Sequence, residues 1–166
     1  MANELNNVWG SASSISTLTN LHGLTDGNVW QSAVLSSERS AGITYPGVKI
    51  WYNLDWSTTP TLGDSIEFYI AEGDEGSGTE IWDGNISEGE NEIAAGAAVD
   101  RIVDNISAVH RVSMSKTTYS TDIKGSFKVY DIAPDWVLLI RILTNTVSLA
   151  SSGNEITYRY FELQPQ

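Results

Sequence analysis

Strict alternation of apolar and polar residues places the tightest constraint on how this chain folds. Residues 48–54 read Val-Lys-Ile-Trp-Tyr-Asn-Leu, and the first, third, fifth and seventh side chains form one apolar set. Because a strand places successive side chains on opposite faces, this period of two predicts a half-buried strand. The alternation recurs at 66–70 and at 156–160, where it predicts two more strands.

A different pattern occupies residues 136–143, which are apolar on both faces apart from Arg141. Such a run is typical of a central strand covered on both sides, so we expect Trp136 to lie in the core. Shorter strands are predicted over 109–113 and 127–132.

Residues 97–105 carry apolar side chains at helical spacing and predict a short helix. Their β-branched content leaves a strand as the alternative.

Seven or eight short strands separated by turns predict an all-β protein, a jelly-roll-like β-sandwich that forms a single domain over 29–166. Residues 1–28 contain only two charges and show no alternation, so we interpret them as an extended N-terminal arm. The arm carries Leu5, Val8 and Trp9, which we expect to become fixed only against a partner. Pairing of the arm with its own sheet is the alternative.

Acidic residues are concentrated in one third of the chain. The net charge is −12, from 21 Asp and Glu against 9 Lys and Arg, and residues 51–100 contain twelve of the acids and none of the bases. Because such a surface repels phosphates, nucleic acid is not an expected partner. The acids serve solubility, or they meet a basic partner or divalent cations.

Residues 71–96 hold six glycines and eight of these acids. The composition predicts a long acidic loop that is mobile or cation-responsive in the free protein. Its carboxylates suit a hard cation such as calcium, but the spacing of known calcium loops is missing, which favours a solvated loop.

No constellation of residues predicts catalysis. The chain has no cysteine, and its two histidines, His22 and His110, lie far apart in unlike settings. No nucleophile elbow or phosphate-binding glycine motif occurs, so we predict a protein that is not an enzyme and has no cofactor or metal. A glycosidase using carboxylates such as Glu67, Glu80 and Asp83 is a distant alternative.

Neither a membrane span nor secretion is expected. No run of 18 apolar residues is present. The first residues, Met-Ala-Asn-Glu, lack the positive and apolar regions of a secretory signal.

Tryptophan is the strongest signal of a binding surface. Of the six tryptophans, Trp51 lies on the polar phase of its strand, and Trp56 and Trp82 lie in or beside loops. Exposed tryptophans are buried at protein interfaces or stack on sugar rings, whereas burial under the protein's own loops is the alternative. The predicted partner interface consists of Leu5, Val8, Trp9, Trp51, Trp56 and Trp82.

Four stretches beside the predicted strands, Gly27–Ser32, Ser57–Ile66, Ile132–Trp136 and Leu149–Asn154, follow a Ser- and Thr-rich opening. Over most of the chain this loose pattern resembles the jelly-roll decoration, or cement, proteins of tailed-bacteriophage virions. The resemblance implies a virion protein made in the host cytoplasm that binds the major capsid protein or other virion proteins, commonly as a homotrimer.

Two functions therefore follow from the sequence. The first is a bacteriophage capsid decoration protein that binds the head lattice and stabilises it. The alternative is a carbohydrate-binding β-sandwich that uses exposed tryptophans.

Overall fold

Two antiparallel β-sheets stack face to face, which confirms the predicted all-β sandwich. The computed structural model describes residues 5–36, 47–74, 81–82, 86, 89–114, 121–133, 135–144 and 147–165. Its elements are β1 (Leu5–Ser14), β2 (Val29–Gln31), β3 (Leu35–Ser36), β4 (Gly47–Asp55), β5 (Ser65–Asp74), β6 (Ile81–Trp82), β7 (Asn91–Ile93), α1 (Ala97–Asn105), β8 (Ala108–Ser113), β9 (Asp122–Val129), β10 (Asp135–Leu143) and β11 (Glu155–Pro165).

Eight of the strands pair in a nested order. The first pairs with the last, β1 with β11, and the pairs β2–β10, β4–β9 and β5–β8 follow inward. One sheet has the order β1-β11-β4-β9, and the other contains β8-β5-β10-β2. This nesting across two sheets is the arrangement of a jelly roll, so the predicted topology is also confirmed.

The remaining elements enlarge the second sheet to seven strands. β3 pairs with β10, β6 with β5, and β7 with β2. In the segment between β5 and β8, β6 thus lies at one end of this strand order and β7 at the other, and α1 follows β7. The predicted helix is confirmed, whereas the prediction of one continuous loop over 71–96 is wrong. Within that range β5 continues to Asp74, and both β6 and β7 are paired strands.

The main core lies between the two sheets. Alternate residues of β4 and β5 enter it, as the sequence pattern predicted, and the fully buried Trp30 and Trp136 are its largest side chains. A second apolar cluster lies on the other face of the seven-stranded sheet, where Tyr69, Val137 and Leu139 pack with Val99 and Ile102 of α1. β5 and β10 are therefore covered on both faces.

The N-terminal segment belongs to the sandwich, which corrects the interpretation of 1–28 as an arm fixed only by a partner. β1 pairs with β11 over its whole length, and the following turn buries Leu18, Leu21 and Leu24 in the core. The register shifts between Trp9 and Ala12. Because such a bulge interrupts the period of two, the strand leaves no alternation to detect in the sequence.

Hydrogen bonds hold the last part of the acidic segment to the sandwich. Glu90 accepts hydrogen bonds from the backbone and side chain of Asn20 and, at 2.7 Å, from the Trp30 indole. Asn28 donates to Glu92 and accepts from the Ala95 backbone. Residues 89–95 are thus anchored, and the rest of the predicted mobile segment lies largely outside the described residues.

We expect deletion of residues 1–14 to lower the free energy of unfolding by at least about 2 kcal/mol, because it removes the outer strand and the Trp9–Phe161 ring contact. The melting temperature should fall by roughly 4–8 °C in a thermal scan by circular dichroism. Deletion of residues 1–4 alone is the control. An unchanged melting temperature without β1 would restore the interpretation as a loose arm.

His110 of the edge strand β8 contacts residues of the other sheet. Its ring stacks on Phe127 with 4.8 Å between centroids, and its Nε2 lies 3.1 Å from the Tyr52 hydroxyl. Gly125 makes this contact possible, since a Cβ there would collide with that hydroxyl. Burial lowers the pKa of His110 from 6.5 and raises the pKa of Tyr52 from 10.0.

The lowered pKa of His110 predicts a loss of stability in mild acid. Below pH 6.5 the unfolded chain takes up a proton at His110 before the folded protein does. The stabilisation is therefore complete above pH 6.5 and is lost as the pH falls through the folded pKa. Urea unfolding at about pH 7.5 and 5.5 should show a larger loss for the wild type than for His110→Phe, which cannot titrate. Equal losses would refute the role of His110. The control is His22→Phe, which replaces the other histidine of the chain by the same residue.

Candidate functional site

The outer face of the four-stranded sheet is the candidate site. The inner faces of both sheets form the main core, and α1 packs on the outer face of the other sheet. In β4 the side chains of Lys49, Trp51 and Asn53 alternate with buried ones and point away from the core. Residues of β9 and β11 that pair with these positions also point outward, as do the residues of β1 that pair with the outward positions of β11.

Three cations lie side by side across this face. Lys49 of β4 is directly opposite Lys128 of β9 on one side and Arg159 of β11 on the other. We call these three residues the cation row. Like charges at directly opposed positions destabilise a sheet, so the arrangement is costly unless something offsets it.

Aromatic rings provide part of that offset. The Lys49 ammonium lies 4.7 Å from the centroid of Trp51, and the Lys128 ammonium lies 5.1 Å from that of Phe161. Arg159 lies over Trp9 at 5.6 Å. Such cation–π contacts are worth about 0.5–1 kcal/mol at exposed sites. Among the described residues, no carboxylate lies within 4.0 Å of any member of the cation row.

Phe161 anchors one end of the face. It is 3% exposed although it points away from the core, because Trp9 and Tyr130 contact its ring, each at 5.3 Å between centroids. Underneath lies Gly47, where a Cβ would approach the Phe161 ring to 2.5–2.9 Å. Glycine at this position therefore lets the ring lie flat on β4. We call the face formed by the cation row with Trp9, Trp51 and Phe161 the aromatic–cationic face.

A shallow depression adjoins the other end of the face. Its volume is about 470 Å3, and its lining includes Trp51, Asn53, Lys124, Glu155 and Thr157. The Lys124 ammonium is neutralised by Asp122 at 3.1 Å. The depression thus combines one indole with amide, hydroxyl and charged groups.

The structure brings some of the predicted interface residues together and separates others. Trp9 and Trp51 share the aromatic–cationic face, and Val8 is 46% exposed on the opposite phase of β1. Trp56 is only 2% exposed, so the expectation of an exposed side chain there is wrong. Trp56 and Leu149 form an isolated β-bridge, which places the 147–149 segment beside the tryptophan.

Leu5 lies in β1 and Trp82 in β6, but their side chains are outside the described part of the structure.

Sequence reasoning missed the cation row. One signal was available: Lys124 and Lys128 share a strand phase in β9, as Lys49 and Trp51 do in β4. Only the register between β4, β9 and β11 shows that Lys128, Lys49 and Arg159 are neighbours.

A second group of charges lies on the outer face of the seven-stranded sheet. Glu67 accepts a hydrogen bond of 2.6 Å from the Tyr69 hydroxyl and lies 3.6 Å from Arg111 and 3.8 Å from Arg141. Burial, followed by the hydrogen bond and the charge of Glu67, raises the pKa of Tyr69 to about 12. These groups bind one another and form a structural network, although the buried Arg141 Nε has no hydrogen-bond partner among the described residues.

The described residues contain no group of three or more metal-binding side chains, and no helix among them is long and apolar enough to cross a membrane. Comparison of the sequence with protein-family models and with curated proteins gives no match.

Gly47→Ala should disturb the aromatic–cationic face, because the added methyl group collides with the Phe161 ring. We expect a loss of about 2 kcal/mol in the free energy of unfolding and a changed tryptophan emission as Trp9 moves. Gly10→Ala is the matched control in the same sheet, since its Cβ would meet neighbouring atoms only at 3.5 Å and beyond. Equal stability of both variants would show that Phe161 is free to shift.

Proposed function

We propose that this protein is a non-enzymatic structural protein of a bacteriophage virion that attaches to an acidic protein surface through its aromatic–cationic face. The partner is the major capsid protein or another virion protein, and attachment stabilises the head lattice. The observation that carries the proposal is the cation row, three basic side chains without a described carboxylate partner in a chain of net charge −12.

The energetics of the row favour a partner of opposite charge. An acidic surface placed on the row would relieve the repulsion between its three cations and would orient the molecule, since the rest of the chain carries the excess of acids. The half-buried rings of Trp9 and Trp51 beside the row supply apolar contact area. Each such contact is modest, but many copies on one lattice add their contributions.

The resemblance to decoration proteins and the jelly-roll topology agree with this proposal. Jelly rolls occur in viral capsid proteins and also in lectins, so the fold by itself does not choose between the two functions. The choice depends on the chemistry of the exposed face.

One observation favours carbohydrate binding as the second candidate. Trp51 lies beside the depression, where Asn53, Glu155 and Thr157 offer the amide, carboxylate and hydroxyl groups that bind sugar hydroxyls. In that case Trp51 would stack on a sugar ring and the cation row would be secondary.

Charge reversal in the middle of the row tests the leading proposal. We expect Lys49→Glu to weaken attachment at least about tenfold, because it replaces an attraction by a repulsion. Binding is measured by cosedimentation with empty particles of the partner major capsid protein. Wild-type binding should also weaken as the salt concentration rises from about 50 to 500 mM.

Arg101→Glu is the matched control, since it makes the same charge change on α1, on the opposite side of the sandwich. Equal loss for both variants would mean that net charge alone matters, and the proposal would fail. On a glycan array we expect no saturable binding. Saturable binding that disappears in Trp51→Ala would replace the leading proposal by the second candidate.

A further inference from the structure

β1 is an end strand that lacks the usual protection of strand edges. It lies at the end of the four-stranded sheet, and its ten residues, LNNVWGSASS, contain neither a charge nor a proline. Exposed edges tend to pair with further strands, and proteins generally block them with charges, prolines, bulges or very short strands. The bulge of β1 lies beyond Trp9 and leaves the edge of Leu5–Trp9 without any of these features. An unblocked edge of this length predicts a partner strand.

The other edge strands in the described part of the structure have such protection. β9, at the opposite end of the same sheet, contains Asp122, Lys124 and Lys128. In the other sheet, β8 contains Arg111 and His110, and β3, β6 and β7 are only two or three residues long. The contrast singles out β1.

Electrostatics are also compatible with β1 as a contact between two copies of this chain. Two molecules of net charge −12 repel each other overall. The stretch from residue 5 to residue 25 contains no Asp, Glu, Lys or Arg and lies next to the cation row, so a contact there brings no acidic side chains of β1 together. The bulge between Trp9 and Ala12 leaves Leu5–Trp9 as an evenly registered segment of five residues.

We propose that two copies pair antiparallel through the Leu5–Trp9 segments of their β1 strands. The pairing requires a twofold axis perpendicular to the sheet, and it joins the two four-stranded sheets into one of eight strands. Both aromatic–cationic faces then lie on the same side of the joined sheet. The dimer presents two cation rows to one surface, and that doubling would raise its affinity for a repetitive lattice.

This pairing does not depend on the proposed function, and it differs from the trimer that the resemblance implies. Both copies use the same strand, so the contact closes on itself at two copies.

Light scattering of the full chain after gel filtration is the first test. At micromolar concentration the wild type should have twice the chain mass of 18.1 kDa. Val8→Lys places a charge on each copy beside the axis and should return the mass to that of one chain. Val109→Lys is the matched control, because Val109 is 41% exposed on the edge strand β8 and Val8 is 46% exposed on β1. Circular dichroism checks that both variants fold.

Cysteine scanning is the second test, and the absence of native cysteine makes it clean. Single cysteines at positions 5 to 9 are oxidised, and disulfide-linked dimer should peak where the twofold axis passes, since two such residues come within disulfide distance only near it. Val109→Cys gives the background.

A monomeric or trimeric wild type, an unchanged mass for Val8→Lys, or cross-linking no greater than that of Val109→Cys would overturn the pairing. A monomer that still binds particles in a salt-dependent manner would sink the pairing and leave the proposed function intact. A dimer that does not bind particles would do the reverse.

Discussion

The pairing of β5 with β10 is the interaction on which the rest of the structure depends. The two strands are in register over eight residue pairs, and both of their faces bury apolar side chains, with the Glu67–Arg141 pair as a charged exception on the outer face. A strand pair that is hydrophobic on both faces must be covered on both. One face is covered by the four-stranded sheet, and the other is covered by α1 and the segment that leads to it.

This requirement explains the insertion between β5 and β8. An eight-stranded jelly roll needs only a connection there, but this chain uses the segment to place β7 beside β2 and α1 beneath the sheet. Anchors such as Glu90, which binds both Asn20 and the Trp30 indole, hold the segment to the sandwich. Part of this acidic region is therefore structural.

The segment and α1 cover the seven-stranded sheet, whereas no element of the described part of the chain packs on the outer face of the four-stranded sheet. There the sequence places three of its nine bases in one row with aromatic rings around them. Repulsion within the row is expected to lower the stability of the free protein, and the proposed acidic partner would relieve that repulsion. The open face and the edge of β1 adjoin each other, so pairing of two copies within the plane of the sheet would leave both faces directed toward one surface.

The sequence by itself determined the elements whose pattern is local. Alternation identified β4, β5 and β11, the two-sided apolar run identified β10 as a central strand, and helical spacing identified α1. These predictions succeeded because burial on one face or on both directly sets the residue period. Only the tertiary structure decided what depends on contacts between distant segments. β1 has a bulge that removes its period, Trp56 is buried beside the 147–149 segment, and the cation row joins positions 49, 128 and 159. Strand register fixes such neighbours, and register is set by the packing of the whole sandwich, which no single stretch of sequence contains.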